Sequence, residues 1–244
     1  GKEIIEPLQY INVYLNGIGD YQNKAYDLIL DLLKDGASKG NAEFPNFSNM
    51  ESFGYAMLQN LLEALNIVYP DEQLDDQDDL KNYEKNKLIG KHGLKRMMTY
   101  QDVKSNPPVK GNFEYKSSVI SKYGEIFSPE NLPTYSAKMS NICSTVVNSE
   151  GIILIYSQYI DGGLVPMALA LESIGFTKYG SSSLFKAAPT EPIDAITGKP
   201  KGEVGDGFSP AKYIMITGDK AYSPNNDQMV KAATNENNLN GEKI

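Results

Sequence analysis

Residues 151–180 read GIILIYSQYIDGGLVPMALALESIGFTKYG. The short apolar run Ile152–Tyr156 is rich in isoleucine and uncharged, which predicts a strand covered on both faces, as in a parallel sheet. It breaks at Ser157-Gln158-Tyr159 and crosses Asp161-Gly162-Gly163. Leu164–Ile174 then takes helical character and closes at Gly175, a residue suited to the left-handed conformation that ends helices. Further on, KYIMITGDK (Lys212–Lys220) repeats the pattern. A second apolar strand, Tyr213–Ile216, runs into a small polar turn, and SPNNDQMVKAAT follows as a helix with Ser223 as its N-cap. Strand, crossover helix and strand in this order predict an α/β fold with neighbouring parallel strands.

Working outward, the segment before Ile152 reads as helices. SSVISKYGEIF is a short one, and SPENLPTYSAKMSNICSTVV holds a longer one with Met139, Ile142, Cys143, Val146 and Val147 on one face. Earlier still, Tyr26, Ile29, Leu30 and Leu33 mark an amphipathic helix. MESFGYAMLQNLLEALNIVYP marks another, ended by Pro70. The acidic stretch 71–87 predicts a solvated, poorly ordered connector. Asn106-Pro107-Pro108 predicts a break. The expected organisation is therefore a mainly helical region at 1–112 and an α/β region at 113–244. The latter carries a Gly/Pro-rich insertion at 181–210.

Composition narrows the chemistry. The one cysteine, Cys143, excludes an internal disulfide, and its flanks NICSTVV predict a small buried hydrophobe rather than a nucleophile. The one histidine, His92, predicts a surface or loop residue, and together these two counts exclude the usual zinc cages. A formal net charge of −8 argues against nucleic-acid binding by bulk charge, though not against a local cationic rim. No apolar run in the sequence is long enough to span a bilayer.

The nucleotide motifs that might be sought are missing. TGKPKG at Thr197 supplies Gly-Lys, but Ile193 stands where a phosphate loop needs its first glycine. VGDGFS at Val204 has the wrong spacing for a dinucleotide turn, which removes the support for a Rossmann-type transferase. LNIVYPDEQL imitates a Walker B strand through Asp71-Glu72, yet it has no phosphate loop upstream to serve. In an open parallel sheet, ligands bind beyond the carboxyl ends of the strands. Two loops lie there. One is Ser157-Gln158-Tyr159 with Asp161-Gly162-Gly163, and the other is Thr217-Gly218-Asp219-Lys220. Their small residues admit a close backbone, and their hydroxyl, amide and ammonium donors suit phosphate or ribose.

The same two segments resemble the second RecA-like lobe of superfamily 2 helicases. They are most similar to the Snf-type or DEAD-like helicases of nucleo-cytoplasmic large DNA viruses, in particular the mimivirus-like members. LIYSQY resembles motif IV, and ITGDK with SPNND resembles the next strand, turn and helix. FEYK, IFSPENL, YSAKM and PIDAIT are similar to that group as well, and EALNIVYP with GKHGLKRMMTY resembles its inter-lobe segment. The resemblance implies an incomplete RecA-like lobe within an ATP-dependent helicase or translocase. It places nucleic-acid backbone contacts at Ser157, Gln158, Thr217, Gly218 and Lys220, with no catalytic or metal-binding residue in this chain. ATP and Mg2+ would belong to the parent protein, and the missing first helicase lobe and DNA or RNA would be its partners. The resemblance also implies an internal fragment, inactive alone, in an intracellular setting (host cytoplasm or virion), with no membrane contact. The alternative is a non-enzymatic α/β interaction domain.

Overall fold

The computed structural model describes residues 12–39, 55–76, 83–103, 109–180 and 183–235. Helices and strands are mixed. Among the described residues there are two two-stranded sheets, one antiparallel and one parallel.

Two apolar clusters organise the chain. The smaller joins α1 (Asp20–Lys39) and α2 (Tyr55–Asn66) through Ala25, Ile29, Leu33, Leu61 and Ala64, so the three- and four-residue spacing of α1 is used as the sequence predicts. Helix α2 stops at Asn66, four residues before Pro70. The next three residues are extended and alternate between cores: Val68 faces the smaller cluster, while Ile67 and Tyr69 face the larger. Their backbone is tied on both sides, Val68 N donating to Tyr135 O at 3.0 Å and Tyr69 N to Leu88 O at 2.8 Å. Fully burying side chains of this kind stabilises by about 2 kcal/mol each.

The acidic stretch is not a solvated connector where it is described. Asp71–Asp76 includes the short helix α3 (Glu72–Asp76), and Leu74 is fully buried in the smaller cluster with Tyr83 and Leu88. Asp71 Oδ1 accepts from Gln73 N at 3.0 Å, while its Oδ2 meets Arg96 Nη2 at 2.5 Å. Residues 77–82 lie outside the described residues. Apolar residues spaced among the carboxylates supply the burial that the charge count conceals.

After a 3-10 turn at Lys85–Leu88 comes α4 (Gly90–Met97), whose Leu94 and Met97 enter the larger cluster. The region expected to be mainly helical then contains a hairpin, β1 (Met98–Val103) and β2 (Val109–Tyr115), which pair antiparallel with a register shift between Thr99 and Gln101. Helix α5 (Ser117–Tyr123) follows. The next helical stretch is split at Ser136 into α6 (Leu132–Tyr135) and α7 (Ala137–Val147). Ser136 Oγ accepts from Met139 N and donates to Asn66 O, so it caps α7 and fastens it to the end of α2.

A single π-helical turn, Ile160–Leu164, leads into α8 (Val165–Ser173), which is buried along its whole length. Gly175 has φ +99°, and a Cβ there would collide with Glu191 O, so this stop requires glycine. Strand β3 (Thr177–Lys178) pairs in parallel with β4 (Lys212–Tyr213), and α10 (Asn226–Ala233) closes the described chain.

The insertion between β3 and β4 is folded around one carboxylate. Asp194 Oδ2 accepts from Ile196 N, Thr197 N and Thr197 Oγ1, and its Oδ1 accepts from Ser209 N at 2.9 Å. These bonds hold Asp194 down to a pKa of about 2. The short helix α9 (Lys201–Val204) lies within the loop so formed. Glu172 of α8 fixes the start of the insertion, accepting from Leu184 N at 2.7 Å, Phe185 N at 2.9 Å and Tyr213 Oη at 2.7 Å.

One sequence expectation is corrected here. Ile152–Tyr156 belongs to no strand, of the expected strand Tyr213–Ile216 only Tyr213 is in one, and β4 takes β3 as its parallel neighbour instead, so the two loops do not follow neighbouring strands of one sheet. Leu154 is 91% exposed and Tyr156 85% exposed. An apolar run signals a demand for burial, but it does not supply the neighbouring strands. Among the described residues none pairs with this one.

Candidate nucleic-acid interface

The first loop is shaped by its glycines. Ser157 Oγ accepts from Tyr159 N at 3.2 Å, and Leu164 N donates to Tyr159 O at 2.9 Å across the π turn. Asn66 Nδ2 donates to Gly162 O at 3.2 Å and so ties the turn to α2. Gly162 and Gly163 are buried. A Cβ on Gly162 would press on Glu63, and one on Gly163 would overlap Ser157 Oγ. Single π turns of this sort are frequent at functional sites.

The second loop is closed by its own side chains. Thr217 N donates to Ser223 Oγ at 2.9 Å, Thr217 Oγ1 donates to Asp219 O at 2.9 Å, and Asn226 Nδ2 donates to Thr217 O at 2.8 Å. Ser223 is therefore spent on Thr217 and does not cap α10, which Asn225 precedes without a side-chain cap bond. Asp219 accepts from Lys110 Nζ at 2.5 Å and from Ala221 N at 2.9 Å. Burial works to raise Asp219, but Lys110 outweighs it and the carboxyl sits below its usual range. Lys110 moves oppositely: burial disfavours its charge, and the bond to Asp219 more than compensates, so its pKa is raised.

The two loops meet through Tyr222 and Asp161. Tyr222 Oη lies 3.3 Å from Asp161 Oδ1, and Lys110 Nζ sits 4.9 Å above the Tyr222 ring. Burial and the Asp161 carboxylate both raise the Tyr222 hydroxyl.

The five predicted residues divide into two kinds. Gln158, Gly218 and Lys220 are exposed, and a Cβ on Gly218 would meet nothing within 4 Å. Ser157 is half-buried, and Thr217 is 6% exposed with its hydroxyl committed inside the loop. Three residues were not singled out as contacts and yet hold the loops: Lys110, Asp161 and Tyr222. Lys110 and Asp219 are 109 positions apart, a separation that no local pattern bridges.

Cys143 is buried, and burial pushes its thiol up to about 12. His92 is exposed on α4. Among the described residues, no group of three or more His, Cys, Asp and Glu is placed to hold a metal ion, and no helix is long and apolar enough to cross a membrane. Comparison with family models, curated proteins and solved structures finds no match to this chain.

Proposed function

We propose that this chain contributes part of the second RecA-like lobe of an ATP-dependent nucleic-acid helicase or translocase. In this reading it grips the phosphate backbone of DNA or RNA. The observation that carries the reading is the contact between the two loops through Tyr222 and Asp161, each loop bearing exposed donors: Gln158 on one, Gly218 and Lys220 on the other. Exposed amide, open glycine backbone and ammonium are the donor types that phosphate oxygens take. Ser157 and Thr217 act behind them by holding the loops in shape. Lys110 offsets the charge of Asp219.

ATP and Mg2+ belong to the first helicase lobe in this proposal. Asp71, which imitates a Walker B carboxylate, has one oxygen on Gln73 N and the other on Arg96, and Glu72 pairs with Lys122 at 3.1 Å. These residues do not fit a magnesium site.

The test is fluorescence anisotropy of a labelled dT20 strand, titrated with the wild type and Lys220→Ala over 50–200 mM salt. Binding is expected to be weak given the net charge of −8. Lys220→Ala should weaken it for every sequence and flatten the salt slope by about 0.7, the value of one phosphate contact on a single strand. An unchanged slope would remove Lys220 from the contact set. A second reading, a non-enzymatic interaction domain, is favoured by the exposed apolar run at Ile152–Tyr156. Wild-type protein without salt-dependent strand binding would decide for it.

A further inference from the structure

Asp102, on β1, is surrounded by more positive charge than it can neutralise. Lys91 Nζ and Lys95 Nζ reach its Oδ2 at 3.3 and 3.4 Å, and Lys110 Nζ stands 3.8 Å from its Oδ1. Lys110 also holds Asp219 and is drawn on by Asp161, so the whole cluster sets three ammonium groups against three carboxylates, while Lys91 and Lys95 share one oxygen of Asp102. The two lysines that share Asp102 lie on the open side, where Lys91 and Lys95 are 38% and 48% exposed while Lys110 is 14% exposed. Glu114 of β2 pairs with Lys186.

We propose that Lys91 and Lys95 form a second phosphate-contacting step for a single nucleic-acid strand, continuous with the rim at Lys220 through Lys110 and Asp219. This rests on the nucleic-acid reading above and extends it to a surface that the motif-like loops do not include. Lys91 and Lys95 are one helical turn apart, about 6 Å along α4, which is close to two stacked nucleotides of one strand. Exposed ion pairs contribute little stability, so these ammonium groups exchange Asp102 for a phosphate oxygen at small cost. Asp102 holds the two ammonium groups together and competes with the strand.

The test uses the full chain and labelled dT20 and rU20, which separate DNA from RNA as the source of the shared phosphate chemistry. Lys91→Ala with Lys95→Ala should flatten the salt slope by about 1.4, two contacts at about 0.7 each, while Lys91→Arg with Lys95→Arg should keep it. Asp102→Asn should tighten binding severalfold, the opposite sign from any loss of structure. Circular dichroism checks that each variant is folded. If the double alanine variant keeps the wild-type slope while Lys220→Ala changes it, or if Asp102→Asn weakens binding, Lys91 and Lys95 are only structural and the rim reading survives. If wild-type protein binds neither strand, both readings fall.

Discussion

Arg96 Nη2 lies 2.5 Å from Asp71 Oδ2, and Arg96 Nη1 donates to Lys87 O at 3.0 Å. One side chain of α4 thus clasps both described flanks of the acidic stretch. Asp71 is 4% exposed, so its carboxylate is paired inside the fold rather than with solvent.

Arg96→Ala should destabilise the protein by about 3 kcal/mol. That is the low end for a broken buried pair, because Arg96 is itself one-third exposed and partly screened. Asp71→Asn combined with Arg96→Ala should lose less than the sum of the two single variants, since removing both leaves no orphan charge. Urea unfolding midpoints measure this. Additive losses would show that the two residues act separately.

Asp194 gives stability a specific acid dependence. Its carboxyl has a usual value of 3.8 and is held at about 2 by the amides of Ser209, Ile196 and Thr197. A carboxyl lowered on folding stabilises above its unfolded value, and that contribution is lost as pH falls towards the folded one. The gap in urea midpoint between wild type and Asp194→Asn should therefore be full above pH 4, shrink between pH 4 and 2, and close near pH 2. A gap independent of pH would assign the effect to packing instead.

The parts of the fold written in local pattern were legible in the sequence. The apolar spacing of α1, the run of α8 and the glycine that stops it depend on neighbours within a few residues. The β1–β2 hairpin was not, because MTYQDV and VKGNFEY are largely polar and Asn106-Pro107-Pro108 reads as a break rather than as the link between two strands. Ile152–Tyr156 misleads for the opposite reason: its composition is that of a buried strand, and none of the described residues pairs with it. At the candidate interface the two loops were readable as small polar turns after apolar runs. Their mutual fastening was not, since Tyr222 to Asp161 spans 61 positions and Lys110 to Asp219 spans 109. Long-range pairing is set by the packed fold.

The π turn depends on the absence of a side chain at Gly163. Its φ is not in the left-handed region, so the requirement is for space rather than for backbone freedom. A Cβ at Gly163 would overlap Ser157 Oγ and would stand 3.1 Å from Ser157 Cβ and 3.4 Å from Tyr159 Cβ. Gly163→Ala should therefore destabilise by about 1–3 kcal/mol, the range for forcing a methyl into a packed site. Ser157→Ala removes the overlapping oxygen but leaves the close Cβ, so the double variant should recover part of the loss and not all of it. Ser157→Ala alone should cost only about 1 kcal/mol through the bond to Tyr159 N. The cycle is measured by urea unfolding, and hydrogen exchange at Leu164 N reports the turn itself. Full additivity, with no rescue by Ser157→Ala, would show that the backbone moves to accept the methyl and that the Ser157–Gly163 contact does not shape the loop.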